Sequence, residues 1–178
     1  MTDADDAGVA ARCLGGDPNA YEVLVTRYQR GLFNVALRIL GSYEDARDAT
    51  QNALIKAYQH LDTFDPGQRF ASWLFRILRN ECLNMVRARR PSESISIDLP
   101  AGGYADPVEA LERHRAVQAA LLALAIDYRE VIVLRHFTDL SYDDIAATLG
   151  IPAKTVKSRL YTARQQLGER LGAWSGAR

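Results

Sequence analysis

Apolar side chains recur every three or four positions along the chain, and no stretch sustains the strict alternation of a half-buried strand, so the pattern predicts an all-α fold. A short amino-terminal helix comes first. Asp17 and Pro18 then supply an N-cap and a first-turn proline, and Leu24, Tyr28, Leu32, Ala36 and Ile39 repeat at helical spacing up to Gly41. Ser42 with Asp45 resembles a capping box and opens a second helix through Ala46, Ala49, Ala53, Ala57 and Leu61. The run Asp62-Thr63-Phe64-Asp65-Pro66-Gly67 breaks it. A third helix from about Arg69 turns Trp73, Ile77 and Leu78 inward and ends in the basic group Arg87-Ala88-Arg89-Arg90 before Pro91.

Between Pro91 and Pro107 the periodicity stops, and Pro, Ser, Gly and Asp dominate around Gly102-Gly103. This predicts a flexible linker over 92–107 that separates two small helical domains, 1–91 and 108–178. The second domain holds helices from about Val108 to Leu124, around Tyr128 to Phe137, after the Ser141 and Asp144 pair, and from about Pro152 to Leu171.

Composition changes this picture little, since 48% hydrophobic and 25% charged residues without a biased tract are those of an ordinary globular chain. The apolar run Ala119 to Ile126 falls well short of the roughly 20 residues of a membrane span. The acidic start Met1-Thr2-Asp3-Ala4-Asp5-Asp6 lacks the basic and apolar parts of a secretory signal, which predicts a cytoplasmic protein without membrane insertion. Cys13 and Cys82 lie far apart with no CxxC or His-rich neighbour, so two reduced structural cysteines are expected, and neither a metal nor a cofactor.

Charge adds more. The net charge is zero, yet residues 1–64 carry 6 basic and 9 acidic side chains, 65–90 carry 6 and 2, 91–150 carry 4 and 10, and 151–178 carry 6 and 1. Two acidic blocks alternate with two basic ones. A factor that docks on a protein and also touches nucleic acid could use this division, because phosphate attraction depends on local basic density; solvated helix faces are the plainer reading.

The stretch Ser141 to Leu160 fits a helix-turn-helix. Ala146 is small where the second helix approaches, Gly150 permits the positive φ of a tight turn, and Ile145, Ile151, Val156 and Leu160 can form the buried seam. That leaves Lys154, Thr155, Lys157, Ser158, Arg159, Tyr161 and Arg164 on or beside the outer face, suited to phosphates and major-groove edges. The alternatives are a solvated helical hairpin and, for Tyr161, a place in the core.

In the first half, Arg69-Phe70-Ala71-Ser72-Trp73-Leu74-Phe75-Arg76-Ile77-Leu78-Arg79-Asn80 interleaves aromatic, basic and amide side chains, the chemistry that binds unpaired nucleic acid by stacking and phosphate contact. Trp73 itself fits the core better. The loop Thr63 to Gln68, flanked by Phe64 and Phe70, is then the place for a flipped base.

Together the two halves resemble the extracytoplasmic-function (ECF, group IV) sigma factors of the sigma-70 family over almost the full length. The segment Glu44 to Tyr58 resembles the part that docks on the clamp helices of the largest polymerase subunit, and Asp48 and Gln51 match its typical contacts. The family usually has an acid where Asn52 stands and a large aromatic near Ala53 or Leu54. The stretch around Trp73 to Asn80 is similar to the promoter-melting segment, Arg87, Arg89 and Arg90 to its basic end, and Thr155 to Leu160 to the minus-35 reading helix, although Leu78 stands where a small residue is common.

The resemblance implies a sigma region 2 domain over 1–91 and a region 4 domain over 108–178. It implies polymerase contacts at Asp48, Gln51, Asn52, Leu54, Ile55 and Lys56, with the polymerase flap as a further partner. Minus-10 contacts are implied at Phe64, Arg69, Phe70, Trp73, Arg76, Asn80, Asn84 and Arg87, and minus-35 contacts at Lys154, Thr155, Lys157, Ser158, Arg159, Tyr161 and Arg164. The implied function is promoter-specific initiation with core RNA polymerase, under a cognate anti-sigma factor. An enzyme is not expected, since His60, His114 and His136 are scattered and no nucleophile elbow or phosphate loop is present. A stand-alone helix-turn-helix regulator is the rival reading, and the first half argues against it because it resembles neither a receiver nor a ligand-binding domain.

Overall fold

The structure is a computed structural model that describes residues 3–88 and 107–175. Among them every regular element is helical. The expected linker, with Arg89 and Arg90, lies outside the described residues apart from Pro107, which opens a helix.

Helix α1 (Asp3–Leu14) is tied to α2 (Pro18–Leu40) by Asp6, whose carboxylate accepts from Arg27 and from the Tyr28 hydroxyl at 2.5 Å. The start of α2 is fixed as its sequence predicts: Asp17 accepts from the Asn19 N–H at 3.1 Å, ahead of the first-turn proline. Its end is fixed by Gly41, at φ 74° in the left-handed region that glycine enters without steric cost. Helix α3 (Tyr43–Gln59) lays Ala46, Ala49, Ala53 and Ala57 against the core, each at 0% exposure, so that α2 and α4 (Phe70–Ala88) approach it closely.

Leu61 does not continue α3 as its spacing predicts. It opens a 3-10 turn, Leu61–Thr63, in which the Thr63 and Phe64 N–H groups donate to the His60 and Leu61 carbonyls, and this tighter winding turns the Leu61 side chain inward.

The second half comprises α5 (Pro107–Leu122), α6 (Ile126–Phe137), α7 (Tyr142–Leu149) and α8 (Ala153–Ser175). The Ser141 and Asp144 pair forms a complete capping box on α7, worth about 1 kcal/mol, and Gly150 closes the helix at φ 67°. Ile145, Val156 and Leu160 are fully buried in the expected seam between α7 and α8, and Ile151 joins them partly buried.

The halves pack on one another, with a single buried cluster running through both, and α2 meets α5 and α6 while α4 meets α7. Two polar patches frame this seam. At the first, carbonyls in the last turn of α2 are met by the second half: Gln118, at 0% exposure, donates to that of Leu37, which also accepts from the Gly41 N–H, and to that of Arg38, and Arg129 donates to that of Ile39 at 2.7 Å.

At the second patch, arginines of α4 and of the residue before it meet α6, α7 and the turn between them. Arg79 grips the buried Glu130 with two hydrogen bonds, at 2.8 and 3.2 Å. Burial pushes the Glu130 carboxyl above its ordinary range even with Arg79 beside it. Arg69 reaches the Asp144 carboxylate at 3.0 Å and the Asp139 carbonyl at 3.1 Å. Arg76 donates to the Ala147 carbonyl at 2.7 Å, near the C-terminal end of α7, where the helix dipole favours a cation.

Candidate nucleic-acid and partner interfaces

Helix α3 turns its alanines inward, which sends Asp48, Gln51, Asn52 and Ile55 outward, all exposed, with Leu54 half-buried. Asp48 and Gln51 stand three residues apart on the same face. Beside them α2 and α3 enclose an open apolar groove of about 550 Å³, lined by Tyr21, Val25, Gln51, Leu54, Ile55 and Tyr58. Ile55 and Tyr58 remain 47% and 52% exposed, an apolar strip of the kind that marks a protein interface. Lys56, exposed on the same helix, pairs across to α4 with the nearly buried Glu81 at 2.7 Å.

Tyr21 and Val25 belong to this groove although they precede the matching sequence segment on another helix. The Tyr21 ring packs at 4.9 Å from that of Tyr58, and its hydroxyl donates to the Leu54 carbonyl at 2.6 Å. Burial pushes the Tyr21 phenol up to about 12. The folded state thus keeps the proton more firmly than the unfolded chain does, so this contribution to stability is present below pH 10 and lost as pH rises toward 12. Urea unfolding at pH 9 and at pH 11.5 is expected to show a fall in stability that is smaller in Tyr21→Phe, by about 1 kcal/mol once solvent screening of a half-buried group is allowed for. Equal falls in both proteins would count against it.

The expected minus-10 residues divide into three groups. Phe64, Phe70 and Trp73 are 7%, 1% and 8% exposed and pack their rings on one another at 5.1 to 5.5 Å, with Tyr28 behind Phe70 at 5.7 Å. Their faces are thus covered in this arrangement, which corrects the expectation that Phe64 and Phe70 flank an open base site; the core reading of Trp73 agrees with its burial. Above them stands an exposed loop, 65–68, held in an Asx turn by Asp65, which accepts from the Gly67 N–H at 2.9 Å. Arg69 and Arg76 are engaged by α7 and the turn before it. Asn80, Asn84 and Arg87 lie exposed toward the end of α4.

On α8, Val156, Leu160 and Ala163 are buried, and the opposite face carries Lys154, Lys157, Ser158, Tyr161 and Arg164 into solvent, with Thr155 and Arg159 partly covered. Tyr161 is 66% exposed, which settles its alternatives in favour of the surface. Arg159 is held by Asp127 of α6 at 2.8 Å. Lys157 lies over the Tyr142 ring at 5.9 Å. A helix whose seam is apolar and whose free face is basic, held across a capped first helix and a glycine turn, has the geometry of a groove-reading unit.

Comparison with known families agrees with both halves. The family model described as Sigma-70 region 2 matches residues 24–91, and that described as Sigma-70, region 4, matches residues 114–167. The chain belongs to the sigma-70 family. Curated relatives of this sigma factor include the ECF RNA polymerase sigma factor SigW of Bacillus subtilis, 32% identical with 88% of this chain and 91% of the relative covered. The ECF RNA polymerase sigma-E factor of Escherichia coli K12 is also 32% identical, over 93% and 94% of the two chains. Among solved structures, CnrH in complex with the cytosolic domain of CnrY has a TM-score of 0.77 and 32% identity, covering 94% of the sigma factor and 97% of CnrH. The sigma factor RpoE in complex with the anti-sigma factor NepR from Bartonella quintana has a TM-score of 0.73 and 30% identity, over 85% and 96%.

Proposed function

We propose that this chain is a group IV ECF sigma factor, the dissociable subunit that gives core RNA polymerase its promoter specificity and acts where the polymerase acts, in the cytoplasm. The observation that carries the reading is the likeness to ECF sigma factors along nearly the whole chain, in which the two matched regions coincide with the two faces derived above. The region 2 domain, over 1–91, docks on the clamp helices of the largest polymerase subunit through Asp48, Gln51, Asn52, Leu54 and Ile55, and the region 4 domain, over 108–178, reads the minus-35 duplex.

No covalent step is involved. Strand opening is driven by differential binding, since a state that holds unstacked bases gains stacking and phosphate contacts that closed duplex does not offer. The loop 65–68 with Asn80, Asn84 and Arg87 forms the exposed part of the minus-10 face, and Arg69 and Arg76 complete it once freed from α7. The two solved neighbours were captured with a second protein, one of them an anti-sigma factor, and the same kind of partner would hold this chain in reserve.

Adding the purified chain to sigma-free core polymerase is expected to yield promoter-dependent transcripts from a genomic template library. In the same assay Arg159→Ala should flatten the preference at one upstream base, with a loss of about 1 to 3 kcal/mol of discrimination. Absence of transcripts with active core enzyme would overturn the function, and an unaltered promoter preference would overturn the role of Arg159.

A further inference from the structure

Helix α1 precedes the residues matched by the region 2 model, which begin at Leu24. Its apolar side is ordinary core, with Val9 and Ala10 buried against the first half. Asp6 is of another kind. It is 3% exposed although Asp5 beside it faces solvent, and a carboxylate is costly to bury unless partners meet it. The partners are Arg27 and the Tyr28 hydroxyl, which donates at 2.5 Å.

From Tyr28 the contact runs on to the minus-10 face. The Tyr28 ring lies 5.7 Å from that of Phe70, Phe70 lies 5.1 Å from Phe64, and Trp73 packs at 5.5 Å on both. Phe64 and Phe70 flank the exposed stretch 65–68, and α1 also meets the Leu61–Thr63 turn and α4 on either side of it. Inside that stretch Asp65 accepts twice at 2.9 Å, its carboxylate from the Gly67 N–H and its carbonyl from the Gln68 N–H. Those bonds set the shape of the loop, and the two flanking rings set where it points.

We propose that Asp6 is a positioning residue for the loop 65–68: through Tyr28 and the ring cluster it holds the loop in the orientation that receives an unpaired base of the opened strand. This role rests on the sigma reading for what the loop binds, and goes beyond it by giving α1 a part in strand opening. A loop that must be ordered at the moment of binding subtracts that ordering from the affinity, so a receptor formed beforehand holds its base better. The Tyr28 hydroxyl is the joint on which this depends, because it ties the far edge of the ring cluster to a different helix.

The test uses the full chain with core polymerase on promoters of fixed minus-35 and randomised minus-10 sequence. Tyr28→Phe removes one hydroxyl and keeps the ring, and Asp6→Ala removes the acceptor. Each is expected to lower the permanganate reactivity of the opened thymines about tenfold, the worth of one hydrogen bond to a charged group, and to flatten the preference at the base the loop holds. Affinity for core polymerase and for minus-35 duplex should stay the same. Asp6→Asn, whose amide oxygen still accepts from Tyr28, should keep most of the preference. Val9→Ala supplies the contrast, since it trims core from the same helix: the urea midpoint should fall and the base preference should hold.

Deuterium exchange of the Phe64, Gly67 and Gln68 amides reads the loop without polymerase, and it should quicken in Asp6→Ala and Tyr28→Phe while the α3 amides stay slow. Should Asp6→Ala fail to fold, Tyr28→Phe carries both measurements. An unaltered minus-10 preference in Tyr28→Phe, or an equal flattening by Val9→Ala, would overturn the positioning role. If the parent chain gave no promoter-dependent transcript while the loop amides still responded to Asp6→Ala, the sigma reading would fall and the link from α1 to the loop would stand.

Discussion

Replacing Asp48 and Gln51 together by alanine is expected to weaken binding to core RNA polymerase by about 2 to 4 kcal/mol, roughly 30- to 1000-fold in Kd. The α3 backbone sets the geometry. Its inner face is a row of fully buried alanines, so the register is fixed and the two polar side chains must stand outward, three residues apart, beside the apolar groove of Ile55 and Tyr58. Polar anchors next to an apolar strip form the usual plan of an interface in which a few residues carry most of the affinity. Both side chains are exposed, so the double variant should unfold within about 0.5 kcal/mol of the parent. Competition with the parent chain for a limiting amount of core enzyme gives the answer directly. A double variant that competes equally well would remove α3 from the docking face.

Phe70→Ala should have the largest effect on stability, a loss of about 3 to 5 kcal/mol measured by the shift of a urea transition. Phe70 is 1% exposed and meets the rings of Phe64, Trp73 and Tyr28 at 5.1 to 5.7 Å, so its removal leaves a cavity at the point where α2, α4 and the turn after α3 converge. A ring kept mainly as a platform for bases would cost far less to remove. A loss below about 1 kcal/mol would therefore show that Phe70 serves the surface and not the core.

Much of this architecture could be read from local chemistry. Asp17 with Pro18, Gly41, the Ser141 and Asp144 box and Gly150 each act within a few residues of their own positions, and the helix ends fall where these signals stand. The outer face of α8 was legible for the same reason, since Val156 and Leu160 fix which side is buried. What could not be read is what depends on distant partners. The interleaved aromatic and basic pattern of Phe70 to Arg79 fits both an open nucleic-acid face and an internal seam, and only the position of α6 and α7 decides between them. The pairing of Lys56 was hidden for a similar reason: its partner Glu81 lies on another helix. The groove residues Tyr21 and Val25 were missed because no spacing rule links them to α3.

The alanine row of α3 also constrains how this protein can change. With no side-chain length between the helix and its neighbours, there is no slack to absorb a larger residue at Ala49 or Ala53, and any added methyl groups would lift the whole helix outward. The polymerase-facing side chains ride on the opposite side of that rail. A substitution hidden in the interior would then be felt by the partner enzyme as a misplaced surface, although no atom of the substituted residue ever touched it.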